Sequence, residues 1–243
     1  MPNKKKYRSI FLSDIHLGMK HCQAEKLLEF LKSTEAERYY LVGDIIDGWC
    51  MRRKVFWPQS HNNILQFFLK KSKKHSVVYV TGNHDEFLRD YSGTVIGNIQ
   101  LVDHFIHIGT DYKRYLVIHG DQYDMVTTNA KWVAMLGGWA YDFMIDLNAK
   151  LQWFYSAIGV SGFSLSRWSK STVKQAVQFI GDYETVVSDA AKRKDVDGVI
   201  CGHIHHPTIR KYDQITYMNC GDWVESCSAI VEHLDGTFEV IKI

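Results

Sequence analysis

Five apolar runs of strand length each end in a polar residue of the same chemical kind. SIFLSD reaches Asp14, YYLVGD reaches Asp44, VVYVTGN reaches Asn83, YLVIHG reaches His119 and GVICGH reaches His203. Near-continuous β-branched and aromatic runs suit strands buried on both faces. Between them lie helical patterns. Ala24, Leu27, Leu28 and Leu31 fall on one helix face, and Ile64, Phe67 and Phe68 begin another. Strands alternating with helices predict a layered α/β architecture. Near the C-terminus ITYMNCG, SAIVEH and TFEVIKI follow one another with turn signals, which predicts a β-meander.

At 243 residues the chain is long enough for one large domain, expected over 1–243. Residues 127–180 are rich in tryptophan, tyrosine and glycine and poor in strand pattern, so they are expected to form a helical, lid-like insertion within it. Val173, Ala176, Val177, Ile180, Val187, Ala190 and Ala191 then mark a long amphipathic helix running to about Lys194. The net charge of +2 gives no argument for nucleic acid, and none is expected as a partner. Five scattered cysteines without a CxxC pair argue against a disulfide framework or zinc knot and point to a reducing compartment. The first apolar run is too short for a signal peptide, and no stretch approaches the roughly 20 apolar residues needed to span a bilayer. A cytoplasmic protein is expected.

In open α/β sheets ligands bind beyond the carboxyl ends of the strands. Asp14 and His16 form D-x-H, Asp44 and Asp47 form G-D-x-x-D, and Asn83, His84 and Asp85 form G-N-H-D. His119 stands in HGD, and His203 and His205 form G-H-x-H. Any one of these is an ordinary turn former or cap. Five together, each closing an apolar run, are poorly explained by turn chemistry and suggest a centre for two divalent metals. Carboxylate, imidazole and amide oxygen suit Mn²⁺, Fe or Zn²⁺. Two ions roughly 3.5–4 Å apart can hold a bridging hydroxide and both oxygens of an in-line phosphoryl displacement. A glycine beside many of these residues lets backbone approach closely.

In this order the motifs resemble those of the calcineurin-like metallophosphoesterases, across most of the chain from Asp14 to His205. The resemblance implies a four-layer αββα sandwich with a helical insertion. It implies one metal held by Asp14, His16, Asp44 and His205, and a second held by Asp44, Asn83, His119 and His203, with Asp44 as the bridge. The expected ions are Mn²⁺, with Fe or Zn²⁺ as alternatives. His84 matches the family's non-ligand histidine, which contacts the phosphoryl group and can protonate the leaving oxygen. Asp85 is expected to orient His84.

GDIIDGW, HGDQYD, CGHIHHP and GDWVES more narrowly resemble the UDP-2,3-diacylglucosamine pyrophosphatase group of lipid A synthesis. That resemblance implies cleavage of a diphosphate in a nucleotide-linked lipid, giving UMP and a lipid sugar phosphate. It also implies peripheral contact with the cytoplasmic face of the inner membrane. Two departures stand out: His84 replaces the arginine of the best-known branch, and Asp47 replaces the usual glutamate. Asp124, Arg167, Lys170 and Lys174 are expected substrate contacts; the last three share one helical face, suited to a diphosphate clamp. MRRK after the Asp44 loop places positive charge near the expected site mouth. A general phosphodiesterase or phosphomonoesterase is the competing enzyme reading, and a binding scaffold of the same fold is the competing non-enzyme reading.

Overall fold

The computed structural model describes the backbone of residues 4–126 and 165–243, and the side chains of these apart from 124–126 and 165–176. Most of the predicted insertion, 127–164, therefore lies outside the described residues. The chain divides into two compact units, Met1–Asp121 with Val187–Ile243, and Gln122–Val186.

The first unit is built on two sheets. The larger contains β1 (Lys5–Leu12), β2 (Thr34–Val42), β3 (Ser76–Val80), β4 (Val95–Ile96), β5 (Ile99–Val102), β11 (Ser228–Glu232) and β12 (Phe238–Lys242). Its order is β12-β11-β1-β2-β3-β5-β4. β1, β2, β3 and β5 run parallel, so their carboxyl ends open on one side. The smaller sheet has the order β6-β7-β8-β10-β9, from β6 (Phe105–Ile108), β7 (Arg114–Val117), β8 (Gly198–Cys201), β9 (Thr208–Tyr212) and β10 (Ile215–Asn219). There β7, β8 and β10 run parallel.

Strand periodicity explains the layers. Along β1, Ile10 and Leu12 face one core while Phe11 faces another. Along β2, Tyr39 and Leu41 oppose Tyr40 and Val42, and along β3, Val77 and Tyr79 oppose Val78 and Val80. Successive strand side chains point to opposite faces, so each apolar run serves two cores at once. The first core receives Leu27 and Leu31 from α1 (Ala24–Ser33) and Ile64 and Phe68 from α3 (Gln59–Lys71), the helices that cover this face. The second core lies between the sheets, where Phe11, Tyr40 and Val78 meet Tyr115, Ile200 and Met218. Each such side chain contributes roughly 1.5–3 kcal/mol on burial. The layered α/β expectation holds.

The meander does not. β10 pairs parallel with β8 in the smaller sheet, whereas β11 and β12 form a hairpin against β1 in the larger one. The crossing falls at Asn219–Gly221, where the Asn219 side-chain oxygen accepts from Gly221 N at 2.9 Å, and Trp223 then enters the first core. Adjacent strands of one sheet and strands that switch sheets share the same alternating pattern, so periodicity could not separate them. The last helix, α4 (Leu165–Arg193), ends where periodicity placed it. It buries Phe179, Val187, Ala190 and Ala191, but leaves Val177 exposed.

Candidate metal centre

The polar residues that close the apolar runs converge at the carboxyl ends of β1, β2, β3, β7 and β8. Asp14, His16 and His205 bring ligand atoms within 4.8 Å of one another, and Asp44, His119 and His203 do the same. A third such group, His16, Asp44 and His84, links the other two. Asp44 thus stands in two groups, and all but His84 and His205 of these residues are buried. Asn83 joins the second group through its Oδ1, 3.2 Å from His119 Nε2.

The backbone at this place is unusual. Asp14, His16, Asp44, His203 and His205 adopt φ of 50°, 54°, 54°, 74° and 53°. Left-handed backbone costs an L-residue of order 1 kcal/mol or more, and such residues cluster at functional sites. Asp, Asn and His are the side chains that tolerate it best. The glycines have a matching steric role. A Cβ at Gly82 would fall on the Asp44 carboxylate, and one at Gly202 on the Asp14 carboxylate. Gly82→Ala is expected to push Asp44 aside and weaken metal affinity by about 10–100-fold, as loss of a supporting contact typically does; titration calorimetry with Mn²⁺ reads this directly.

Hydrogen bonds set which ring nitrogen faces the centre. His119 Nδ1 lies 3.1 Å from the Val42 carbonyl, which can only accept, so Nδ1 carries the proton and Nε2 turns inward, 3.3 Å from Asp44 Oδ2. His16 Nδ1 lies 3.2 Å from Asp47 Oδ2, leaving His16 Nε2 buried without a partner. A histidine that gives one nitrogen to a carboxylate or carbonyl and offers the other inward is the usual arrangement of a metal ligand. His203 N donates to Asp14 Oδ2 at 2.9 Å, and His205 Nε2 lies 3.1 Å from Asp14 Oδ1.

Buried carboxylates dominate the electrostatics of the centre. Burial alone would depress the histidines, but Asp44 and Asp14 outweigh it, raising His119 to about 10 and His205 to about 9. Burial favours the neutral form of Asp14 and Asp44 too, yet the surrounding imidazoles hold both carboxyls below their ordinary range. Histidines drawn into protonation by buried carboxylates fit a place built for cations. The orphaned His16 Nε2 and the mixed carboxylate, imidazole and amide donor set fit divalent ions.

One expectation meets a different geometry. Asp85 does not orient His84. Its Oδ2 accepts from Tyr79 Oη at 2.6 Å and Ile45 N at 2.8 Å, and its Oδ1 accepts from Gly82 N at 2.5 Å. Asp85 is a fully buried brace for the loops after β2 and β3, with its lone pairs already engaged. The carboxylate beside His84 is Asp47, whose Oδ1 lies 3.2 Å from His84 Nδ1, off the line of a good hydrogen bond. Asp47 also caps α2 (Gly48–Arg53), accepting from Cys50 N at 2.7 Å. One side chain therefore touches His16, His84 and a helix start. The second acid of G-D-x-x-D was the available signal for it. Trp49 also packs against His84, ring centroids 4.2 Å apart and planes tilted by 32°. Asp124, Arg167, Lys170 and Lys174 lie outside the residues whose side chains are described.

The family model described as calcineurin-like phosphoesterase matches residues 7–207. A UDP-2,3-diacylglucosamine hydrolase of Vibrio atlanticus is 24% identical, covering 92% of this chain and 93% of its own length. A protein of the same name from Psychromonas ingrahamii is 24% identical over 97% of both. Among solved structures, a phosphoesterase from E. coli is similar with a TM-score of 0.47 at 12% identity, over 97% of this chain and 98% of that one.

Proposed function

We propose that this chain, which belongs to the calcineurin-like phosphoesterase family, hydrolyses the diphosphate of UDP-2,3-diacylglucosamine or a related nucleotide-linked lipid. The products are UMP and a lipid sugar phosphate. The class of reaction, metal-dependent phosphoester hydrolysis, follows from the family. The substrate is read from relatives of that name aligned over nearly the whole chain.

The observation that carries the chemistry is the position of Asp44 in two ligand groups at once. In this reading Asp14, His16, Asp44 and His205 hold one divalent cation, and Asp44, Asn83, His119 and His203 hold the other, with manganese favoured over iron or zinc. Such ions, when bound, withdraw charge from phosphoryl oxygens and acidify water. The chain's own residues orient and protonate. Asp47 and the Val42 carbonyl fix the tautomers of His16 and His119 so that Nε2 faces the centre. The His84 amide donates to Asp44 Oδ1 at 2.8 Å, tying the catalytic loop to the carboxylate. His84 Nε2 faces the same centre, 4.0 Å from Asp44 Oδ2, and its side chain is 24% exposed, open to a substrate. From there it stabilises charge on a phosphoryl oxygen and donates a proton to the leaving oxygen.

The test compares Mn²⁺-dependent hydrolysis of UDP-2,3-diacylglucosamine with that of bis-p-nitrophenyl phosphate. Release of UMP from the lipid, at a higher kcat/KM than the model diester, is the expected result. Turnover of the diester without any UMP release would replace this substrate with that of a general phosphodiesterase.

A further inference from the structure

We propose that Arg89 binds the non-reacting phosphate of a diphosphate substrate and so sets the preference of the centre for a diphosphate over a single phosphate group. Arg89 lies in the 3₁₀ turn Glu86–Tyr91, which starts directly after Asn83, His84 and Asp85. Between Gly82 and Tyr91 it is the one basic side chain besides His84. Its Nη2 donates to Asp121 Oδ2 at 2.5 Å, and Asp121 stands two residues after His119. Burial works to lower the pKa of His119, while Asp44, Asp14 and then Asp121 raise it, which places Asp121 within electrostatic reach of that ring. The guanidinium therefore links the loop after β3 to the loop after β7, the two loops that carry Asn83 and His119.

The pair is asymmetric. The Asp121 side chain is 9% exposed and its Oδ1 is buried without a partner, whereas the Arg89 side chain is 41% exposed. Such a pair adds little to stability, because an unpartnered buried carboxylate oxygen offsets what the contact gains. What the pair does provide is a guanidinium anchored at one end. Among the described residues only its Nη2 is engaged, which leaves Nε and Nη1 for a ligand. Arginine presents five N–H donors in a fixed fork, so one edge can hold a carboxylate while another binds phosphate oxygens. A side chain already held in place has little rotamer freedom left to lose on binding. Arg52 is not prepared in this way: it is 67% exposed and only approaches Glu86, at 4.0 Å. Glu86 shares the turn with Arg89 but turns toward Trp49 and Arg52, so it does not compete for the same guanidinium. A phosphoryl group at the proposed cations stands beside Asn83, His84 and His119, and a second phosphate one bridging oxygen further out needs a cation of its own. The inference rests on the proposed diphosphate hydrolysis for the presence of that second phosphate, but its test needs no lipid.

The experiment measures inhibition of bis-p-nitrophenyl phosphate hydrolysis by UDP and, separately, by inorganic phosphate, in excess Mn²⁺. UDP is expected to inhibit the parent more tightly than phosphate does. In R89Q the inhibition constant for UDP should rise about tenfold or more, the size of a lost charged contact, while that for phosphate changes about threefold at most. R89K keeps the charge without the fork and should lie between parent and R89Q. The Mn²⁺-induced shift in melting temperature, retained in both variants, shows that the cation positions are intact, and R89K alone decides if R89Q does not fold. Equal weakening of both inhibitors, an unchanged constant for UDP, or a parent that does not favour UDP over phosphate overturns the proposal. Loss of the Mn²⁺ shift in both variants also overturns it, and makes Arg89 a structural tie between the two loops. Selective loss of UDP in R89Q, without UMP release from UDP-2,3-diacylglucosamine by the parent, would sink only the lipid substrate. UMP release by R89Q at the parent's KM would sink only the role of Arg89.

Discussion

Asp44→Asn is expected to abolish metal-dependent turnover, by about 10³-fold or more, and to erase the thermal stabilisation that Mn²⁺ confers on the parent. The amide keeps the oxygen that accepts from His84 N, so the loop should stay in place while the charge is lost. Asp44 is 2% exposed, groups with His119 and His203 on one side and with His16 and His84 on the other, and in the proposed ligand set serves both cations. Losing it therefore weakens two cation positions together, not one. Cations at a phosphoryl centre stabilise the transition state by several kcal/mol, and each 1.36 kcal/mol is about tenfold in rate. A ligand that binds only the folded state stabilises it by about 2.7 kcal/mol at a hundred times its Kd. The paired readouts are Mn²⁺ content after desalting and the Mn²⁺-induced shift in melting temperature. Two fully occupied positions, or an undiminished shift, would refute the bridging role.

The same residue shows why the centre could be seen in the sequence. Five of its ligand candidates close an apolar run, and a parallel strand delivers the residues after it to the carboxyl edge whatever the rest of the fold does. Asp14 after β1, Asp44 after β2 and Asn83 after β3 reach one edge because those strands are hydrogen-bonded neighbours. His119 and His203 follow β7 and β8 in the facing sheet, paired in the same way. What the sequence hid was contact between residues with no local periodicity in common. Asp85 is adjacent to His84 in the chain, yet its carboxylate turns toward Tyr79 and Ile45. Asp47 lies 37 positions before His84, yet meets it because capping α2 fixes the carboxylate at the loop crossing. The left-handed backbone at Asp14, His16, Asp44, His203 and His205 was likewise invisible, although all five are residue types that accept it.

Asp47 also decides what the second large effect should look like. His84→Ala is expected to lower kcat by about 10²–10⁴-fold, the range of a lost general acid, while the metal content of the protein stays that of the parent. Asp47→Ala should lower kcat as well, and in addition weaken metal binding, because its other oxygen fixes His16. The two losses should not add: with His84 already gone, removing Asp47 costs only what acts through His16, and a double-mutant cycle isolates the difference. The pH dependence carries a definite sign. Burial works to lower the pKa of His84, but the Asp47 contact together with the charges of Asp44, Asp47 and Asp14 raises it above its ordinary 6.5. Bound cations would offset Asp44 and Asp14, which leaves Asp47 as the group that keeps the proton on the ring. A general acid acts in its protonated form, so activity falls on the alkaline side as His84 loses its proton. Without the Asp47 carboxylate that proton is lost sooner, and the alkaline limb of kcat should move to lower pH. An alkaline limb unchanged in Asp47→Ala, or metal lost from His84→Ala, would remove Asp47 or His84 from these roles.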